Sequence, residues 1–232
     1  ASIDFSVMGP LFAVGLLTMA GGLLLGFAGR PLLQGAGPMG FASRVQCAYR
    51  FNTYIGIAVA GKFAGAAGVA TMGALCGAMV PFANMAAVTM LAHHGQGRLL
   101  RELARNPLIV ATLAGIAFNL SGARLPEPVL PFLQRLADAA VALGLLAVGA
   151  ALRMGRRDGT SGRERLGVLY LCAVKLLALP ALAWGLASVF GLTGIAFATA
   201  VIFAALPTAS SAYILAMRMG GDGRAVAWLI SA

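Results

Sequence analysis

Charged side chains are scarce in this sequence. Only 10% of its 232 residues are Asp, Glu, Lys or Arg, whereas a soluble domain has roughly 25%. So few charges cannot cover a water-facing surface, which excludes a soluble globular protein. The hydrophobic content of 60% and the mean hydropathy of +0.89 instead predict an all-α polytopic protein for which lipid is the solvent.

Cysteine and histidine are also rare, and their positions argue against metal and disulfide sites. Cys47, Cys76 and Cys172 are far apart and form no CxxC pair, so we expect buried apolar thiols. His93 and His94 are adjacent, and neighbouring side chains on a helix point in different directions. No nucleophile elbow, zinc-binding helix, Walker loop or dinucleotide fingerprint occurs. The sequence therefore predicts neither a metal, nor another resident cofactor, nor an enzyme.

The net charge of +10 comes from 17 basic and 7 acidic residues, and its distribution argues against nucleic-acid binding. The basic residues cluster in every second loop between apolar runs, so they lie on one side of the membrane, which the positive-inside rule makes cytoplasmic. We expect a multi-pass protein of the inner or plasma membrane. The predicted spans are Phe5–Ala28 and residues 44–61, 63–92, 107–120, 128–152, 166–190 and 192–217, followed by the start of an eighth from residue 225.

The second and seventh spans form a weak internal repeat. When the chain is aligned with itself, Thr53 falls on Thr208. The second span is predicted to run outward and the seventh inward, which is typical of inverted-repeat transporters. By this repeat, residues 1–95 hold the last three helices of a first repeat, 96–105 a cytoplasmic linker, and 106–232 a second repeat that is truncated in its last helix. We therefore expect a ten-helix protein whose first two helices and most of the last lie outside this sequence.

A proline and several hydroxyl groups interrupt the most apolar part of the chain. Pro207 breaks or kinks the seventh span, and backbone groups freed in lipid must find polar partners. Interrupted helices at matching places of two inverted halves predict a midplane substrate site, where half-helix N-termini favour an anion such as a carboxylate. The other interpretation is a structural kink whose hydroxyls bond back to their own helix. The candidate substrate-binding residues are Asn52, Thr53, Tyr54, Pro207, Thr208, Ser210, Ser211 and Tyr213.

Two ionisable residues lie deep in apolar sequence and are candidates for ion coupling. As a functional group, Asp138 would bind a proton or a cation; otherwise it lies near the outer interface, in a span that enters the membrane late. Lys175 would meet an anion or Asp138; otherwise its side chain extends to a membrane surface. Coupling to a proton and coupling to sodium are both compatible with these residues.

Three segments resemble the auxin efflux carrier family, which includes the plant PIN carriers and many bacterial transporters. Residues 105–152, which end in LADAAVALGLLAVGAAL, resemble the start of the family's second half. The segments YRFNTYIGIAVAGKFAG and ALPTASSAYILAMRMGGD resemble its two crossover helices. In the plant carriers a Pro and an adjacent Asn mark each crossover; here Phe51 stands in place of the first Pro, and Thr208 in place of the second Asn.

The resemblance implies a bile acid–sodium symporter-like fold of ten helices in two inverted five-helix repeats, with a transport domain that moves against a scaffold like an elevator. It implies a secondary transporter of a small organic anion, auxin-like or a dicarboxylate, and matches Asp138 to an acidic position of bacterial members. The expected partners are this anion, the lipid bilayer and a second copy of the chain in a homodimer. The alternative function is a membrane-embedded ligand sensor that uses the same fold without transport.

Overall fold

The computed structural model describes residues 5–33, 37–94, 110–111, 114–115, 117–118, 121–123, 125–151 and 162–231. Regular structure in these ranges is helical, with no strand, which confirms the all-α class. A π-helical segment, Val174–Ala178, joins the helices Gly162–Ala173 and Leu179–Val189 into one long helix. The helices are α1 (Phe5–Ala28), α2 (Arg30–Leu33), α3 (Gly37–Tyr49), α4 (Thr53–His94), α5 (Val129–Ala151), α6 (Gly162–Ala173), α7 (Leu179–Val189), α8 (Gly194–Ala205), α9 (Ser210–Arg218) and α10 (Gly223–Ser231).

Several of the helices have the length and apolarity of membrane spans. Within the part of the chain that the structure describes, three helical stretches meet this condition, namely Met8–Ala28, Gly37–Leu91 and Glu164–Val189. Helices α8 and α9, bent by 45°, make a fourth when the pair counts as one span. These stretches coincide with the first, second, third, sixth and seventh predicted spans, and α5 with the fifth. The fourth span and the linker lie largely outside the described residues. The inverted repeat and the domain boundaries stay predictions.

Helix α4 is a hairpin of two helices. Gly65 and the residue before it have non-helical backbone angles, and the φ of Gly65 is +57°, which glycine adopts without strain. The chain doubles back at this turn and brings Gly68 directly against the carbonyl of Ala60. We name the two antiparallel parts α4a (residues 53–63) and α4b (residues 66–94). Helix α4a corresponds to the end of the second predicted span, and α4b corresponds to the third.

Helix α1 lies at the centre of the fold and packs against α3, α7 and α8. Two glycines let α3 approach it closely. A β-carbon added to Gly22 would lie 3.0 Å from the carbonyl oxygen of Ala48, and one added to Gly26 would lie 2.9 Å from Cγ1 of Val45. In lipid the hydrophobic effect does not drive helices together, so their packing is stabilised by close van der Waals contact at small residues. The C-terminal half of α3 is thereby fixed beside α1.

An ion-pair cluster joins three further helices. Arg44 of α3 lies 2.8 Å from Glu164 at the start of α6 and 3.3 Å from Asp222, which precedes α10. Asp222 also accepts the N–H of Ala225 at 3.0 Å and so caps α10. Through this cluster, α3, α6 and α10 keep fixed positions at one end of the helix assembly.

Helix α5 lies at the edge of this assembly. It packs against α4 and α9, and its described side chains are exposed. Asp138 belongs to α5, but its side chain lies outside the described residues. Its coupling role stays a prediction.

Candidate substrate-binding site

The first helix break separates α3 from α4a. Residues 50–52 belong to no helix, and α4a can begin after them because the Asn52 side-chain oxygen accepts the N–H groups of Tyr54 and Ile55 at 3.1 and 3.2 Å. The side-chain nitrogen of Asn52, Nδ2, is buried and has no hydrogen-bond partner among the described residues. A buried donor of this kind calls for a water molecule or a ligand.

The second break separates α8 from α9. Residues 206–209 belong to no helix, with extended backbone angles at Leu206 and Ala209, and Pro207 has no N–H group with which to continue α8. Helix α9 then begins at Ser210, and the residue before it, Ala209, provides no side-chain cap. The N–H group of Ala212 donates to the carbonyl of Ala209 at 3.0 Å, so those of Ser210 and Ser211 are left for other partners.

The two breaks cross and are hydrogen-bonded to each other. The Asn52 N–H donates to the carbonyl of Pro207 at 2.9 Å. The Thr208 hydroxyl donates to the carbonyl of Cys47 at 2.7 Å, in the last turn of α3. The earlier residue of the first segment, Cys47, pairs with the later residue of the second, Thr208, and the later one, Asn52, pairs with Pro207. The two segments are therefore antiparallel. The crossing places the N-terminal ends of α4a and α9 on one side and the C-terminal ends of α3 and α8 on the other.

A cavity of about 280 Å³ lies at the N-terminal ends of α4a and α9. Five of the predicted substrate-binding residues line it, namely Asn52, Thr53, Tyr54, Ser210 and Ser211. The remaining lining residues come from the two breaks and from α4b, and are Arg50, Phe51, Val80, Ala83, Asn84 and Ala209. The structure thus brings most of the predicted substrate-binding residues to one place, which we name the anion cavity.

The Arg50 guanidinium is buried at this cavity, with 3% of the residue exposed. Its Nη2 donates to Oδ1 of Asn84 and to Oγ of Ser211, both at 2.9 Å, and its Nη1 lies 3.5 Å from Oε1 of Gln46. These partners are all neutral, and no described carboxylate pairs with Arg50. Unpaired charges at membrane depth are costly and mark substrate or ion pathways.

Helix ends make the anion cavity more positive still. The N-terminus of a helix has roughly half an elementary positive charge, and two such ends meet here beside Arg50. The lining includes no acidic side chain from the described residues. This combination gives the cavity a positive electrostatic potential.

The other predicted residues lie away from the anion cavity. Pro207, Thr208 and Lys175 line a second cavity of about 80 Å³, near the C-terminal ends of α3 and α8. Lys175 is 5% exposed, so its side chain does not extend to a membrane surface. Tyr213 packs against Gly223 at the start of α10 and lines neither cavity.

Arg50 and Asn84 were not predicted from the sequence. An arginine inside an apolar span, two residues before Asn52, is a signal that could have identified Arg50. Asn84 lies in the apolar third span, and its pairing with Arg50 depends on the turn between α4a and α4b. That contact becomes visible only in the folded chain.

One comparison with known proteins gives a family. A family model described as a membrane transport protein matches residues 92–230, which is more than half of the chain. The matched part includes the second break and begins after the first. No curated protein and no solved structure gives a significant match. The chain therefore belongs to the auxin efflux carrier family of membrane transport proteins, which is a family of transporters rather than of enzymes.

Proposed function

We propose that the protein is a secondary transporter of a small organic anion, and that the anion binds in the anion cavity at the crossing. The observation that supports this most strongly is the buried Arg50 guanidinium, whose partners among the described residues are all neutral. A bound cation would be repelled there, and a neutral solute would leave the charge uncompensated. A bound anion compensates it.

A carboxylate is the anionic group that fits these donors. Arginine binds carboxylates with parallel N–H donors, and the unpaired Nδ2 of Asn52 offers a further hydrogen bond. The uncapped N–H groups at the start of α9 add a third set of donors. Arg50 would hold the carboxylate while Phe51 and Val80 contact the rest of the molecule. The volume of about 280 Å³ is just below the roughly 300–1,000 Å³ range of small-molecule sites, so the anion is small.

We further propose that transport is elevator-like. Helices α1, α3, α4, α7 and α8 pack together, and both breaks begin at the ends of these helices, at α3 and α8. The anion cavity therefore belongs to one packed body. Helix α5 lies at the edge of this body with exposed side chains. In the proposed motion the body and its cavity move together, relative to a scaffold that includes α5.

The test is a transport assay on the complete protein in proteoliposomes, recorded as current on a solid support. The panel contains small monocarboxylates, dicarboxylates and indole acids, with organic amines and sugars for comparison. We expect a saturable signal from at least one carboxylate and none from the amines. The signal should disappear in Arg50→Met and persist in Arg218→Met, which removes an exposed arginine from α9.

Two results would contradict the proposal. A saturable signal from amines or sugars alone would show that the cavity does not select an anion. A carboxylate that raises the thermal stability of the protein but produces no flux under any ion gradient would indicate a ligand sensor instead of a transporter.

A further inference from the structure

The second cavity contains a buried cation that the anion cavity does not use. Lys175 lies near the middle of the long apolar helix Glu164–Val189 and is 5% exposed. No hydrogen bond or ion pair joins its ammonium group to another described residue. It belongs to the π-helical segment Val174–Ala178, and such segments are frequent at functional sites. A buried charge without a partner requires another source of stabilisation.

The Lys175 charge is stabilised by the C-terminal ends of two helices, α3 and α8, which lie at this cavity. Cys47 belongs to the last turn of α3, while Pro207 and Thr208 follow the last residue of α8, and all three line the cavity beside Lys175. A helix leaves its last four carbonyl groups without intrahelical partners and ends with roughly half a negative charge. Two such ends together have about one negative charge, which a single cation balances.

The two sides of the crossing therefore have opposite polarity. Two N-termini and Arg50 face the anion cavity, while two C-termini and Lys175 face the second cavity. In transporters with broken helices, C-terminal ends and unwound carbonyls are the groups that coordinate a coupling Na⁺ or proton. Lys175 lies where such an ion would bind.

We propose that the second cavity is a cation site occupied by the Lys175 ammonium group, which takes the place of an inorganic coupling ion such as Na⁺. The positive charge is part of the chain, so the crossing is ready to bind the anion without added Na⁺. This inference deepens the proposed anion transport and rests on it for its transport readout.

The other groups around Lys175 agree with a tethered cation. Helices α1, α7 and α8, which pack against the π-helical segment, have no titratable side chain. Helices α3 and α6 bring only the thiols of Cys47 and Cys172 to the cavity. The Thr208 hydroxyl donates a hydrogen bond to the Cys47 carbonyl, and the remaining side chains of the lining, including Pro207, are apolar. The described lining offers no carboxylate for a metal ion, and the ammonium group would repel one.

Lys175 acts on the anion cavity through the second break. Thr208 and Ala209 are consecutive residues of the extended segment, and they line the second cavity and the anion cavity respectively. Without the ammonium group, two negative helix ends face each other across an apolar space. The segment then loses the charge that holds it in place, and the start of α9 moves away from Arg50. Lys175 is thus a positioning residue for the anion.

The first test is a thermal titration of the purified complete protein and requires no transport. Lys175→Ala should be stabilised by methylammonium, which resembles the missing ammonium group, and not by the larger choline. Wild type, Lys175→Arg and Leu177→Ala, a neighbouring exposed position, should show no such shift. If methylammonium and Na⁺ leave the melting temperature of folded Lys175→Ala unchanged, the second cavity is not a cation site.

The second test is anion flux in media that contain either Na⁺ or choline. Wild type and Lys175→Arg should transport equally well in both. Lys175→Ala should be about tenfold slower or more, the scale expected for loss of a buried charge at helix ends, and methylammonium should restore part of its rate. A wild type that requires Na⁺, or a Lys175→Ala variant with the wild-type rate in choline, would overturn the inference. If wild type moves no anion at all, the proposed function fails, and the thermal titration still decides on the cation site.

Discussion

The Arg50→Met variant removes the guanidinium group from the anion cavity and keeps an unbranched, apolar side chain in its place. If a substrate carboxylate binds to Arg50, the change deletes one partner of a desolvated ion pair. Such truncations cost about 2–5 kcal/mol. The affinity for the anion should therefore fall by roughly 30-fold to several thousandfold.

The same substitution should affect folding much less. Met leaves Oδ1 of Asn84 and Oγ of Ser211 without the donor that Arg50 supplies, at about 1–3 kcal/mol for each unsatisfied group. The substitution also removes a buried cation that has no charged partner. Burial of such a charge costs several kcal/mol of folding free energy, and the variant no longer has this cost. These contributions have opposite signs and similar size. The melting temperature of the anion-free variant should thus remain close to that of wild type.

Two measurements on the purified complete protein check this prediction. Calorimetric titration with a transported carboxylate gives the dissociation constant, and thermal unfolding without the anion gives the melting temperature. Arg218→Met, at an exposed position of α9, should change neither. Wild-type affinity in Arg50→Met would refute anion binding by Arg50. A large fall in the melting temperature of the anion-free variant would show that the neutral contacts of Arg50 are its main role.

Three pairs of substitutions test the crossing and the packing by thermal unfolding. Thr208→Val leaves the Cys47 carbonyl without its donor and should destabilise the protein by about 1–3 kcal/mol. Thr208→Ser keeps the hydroxyl and should not. Equal stability of the two variants would refute a stabilising role for this hydrogen bond. Gly26→Leu should separate α1 from α3 and lower the melting temperature, while Gly77→Leu, where a β-carbon meets no atom within 4 Å, should have little effect; equal effects would contradict this packing. Gly65→Val should destabilise the hairpin turn more than Gly65→Asn, since a β-branched residue is strained at positive φ, and the reverse order would contradict it.

Both helix breaks could be predicted from the sequence because they depend on local chemistry. Pro207 interrupts an apolar run, and a proline there removes a backbone donor whatever the surroundings. The first break has no proline, but Asn52 is a favourable N-cap residue and two further polar residues follow it. Local signals of this kind also separate α4a from α4b, as the boundary between two predicted spans.

The assignment of side chains to the two cavities could not be predicted, because it depends on how the breaks cross. Thr208 faces the second cavity and Ser210 the anion cavity, although a single residue separates them. The buried position of Lys175 depends on how α1, α3 and α8 pack around the π-helical segment. Arg50 can donate a hydrogen bond to Asn84 because α4 folds back on itself. These are long-range contacts, and apolar periodicity contains no information about them.

The central claim is tested most directly by an experimental structure of the complete protein with its transported anion bound. The account predicts that the carboxylate lies within about 2.7–3.2 Å of a guanidinium nitrogen of Arg50 and of Nδ2 of Asn52. An anion bound elsewhere, with Arg50 still donating only to Asn84 and Ser211, would contradict it.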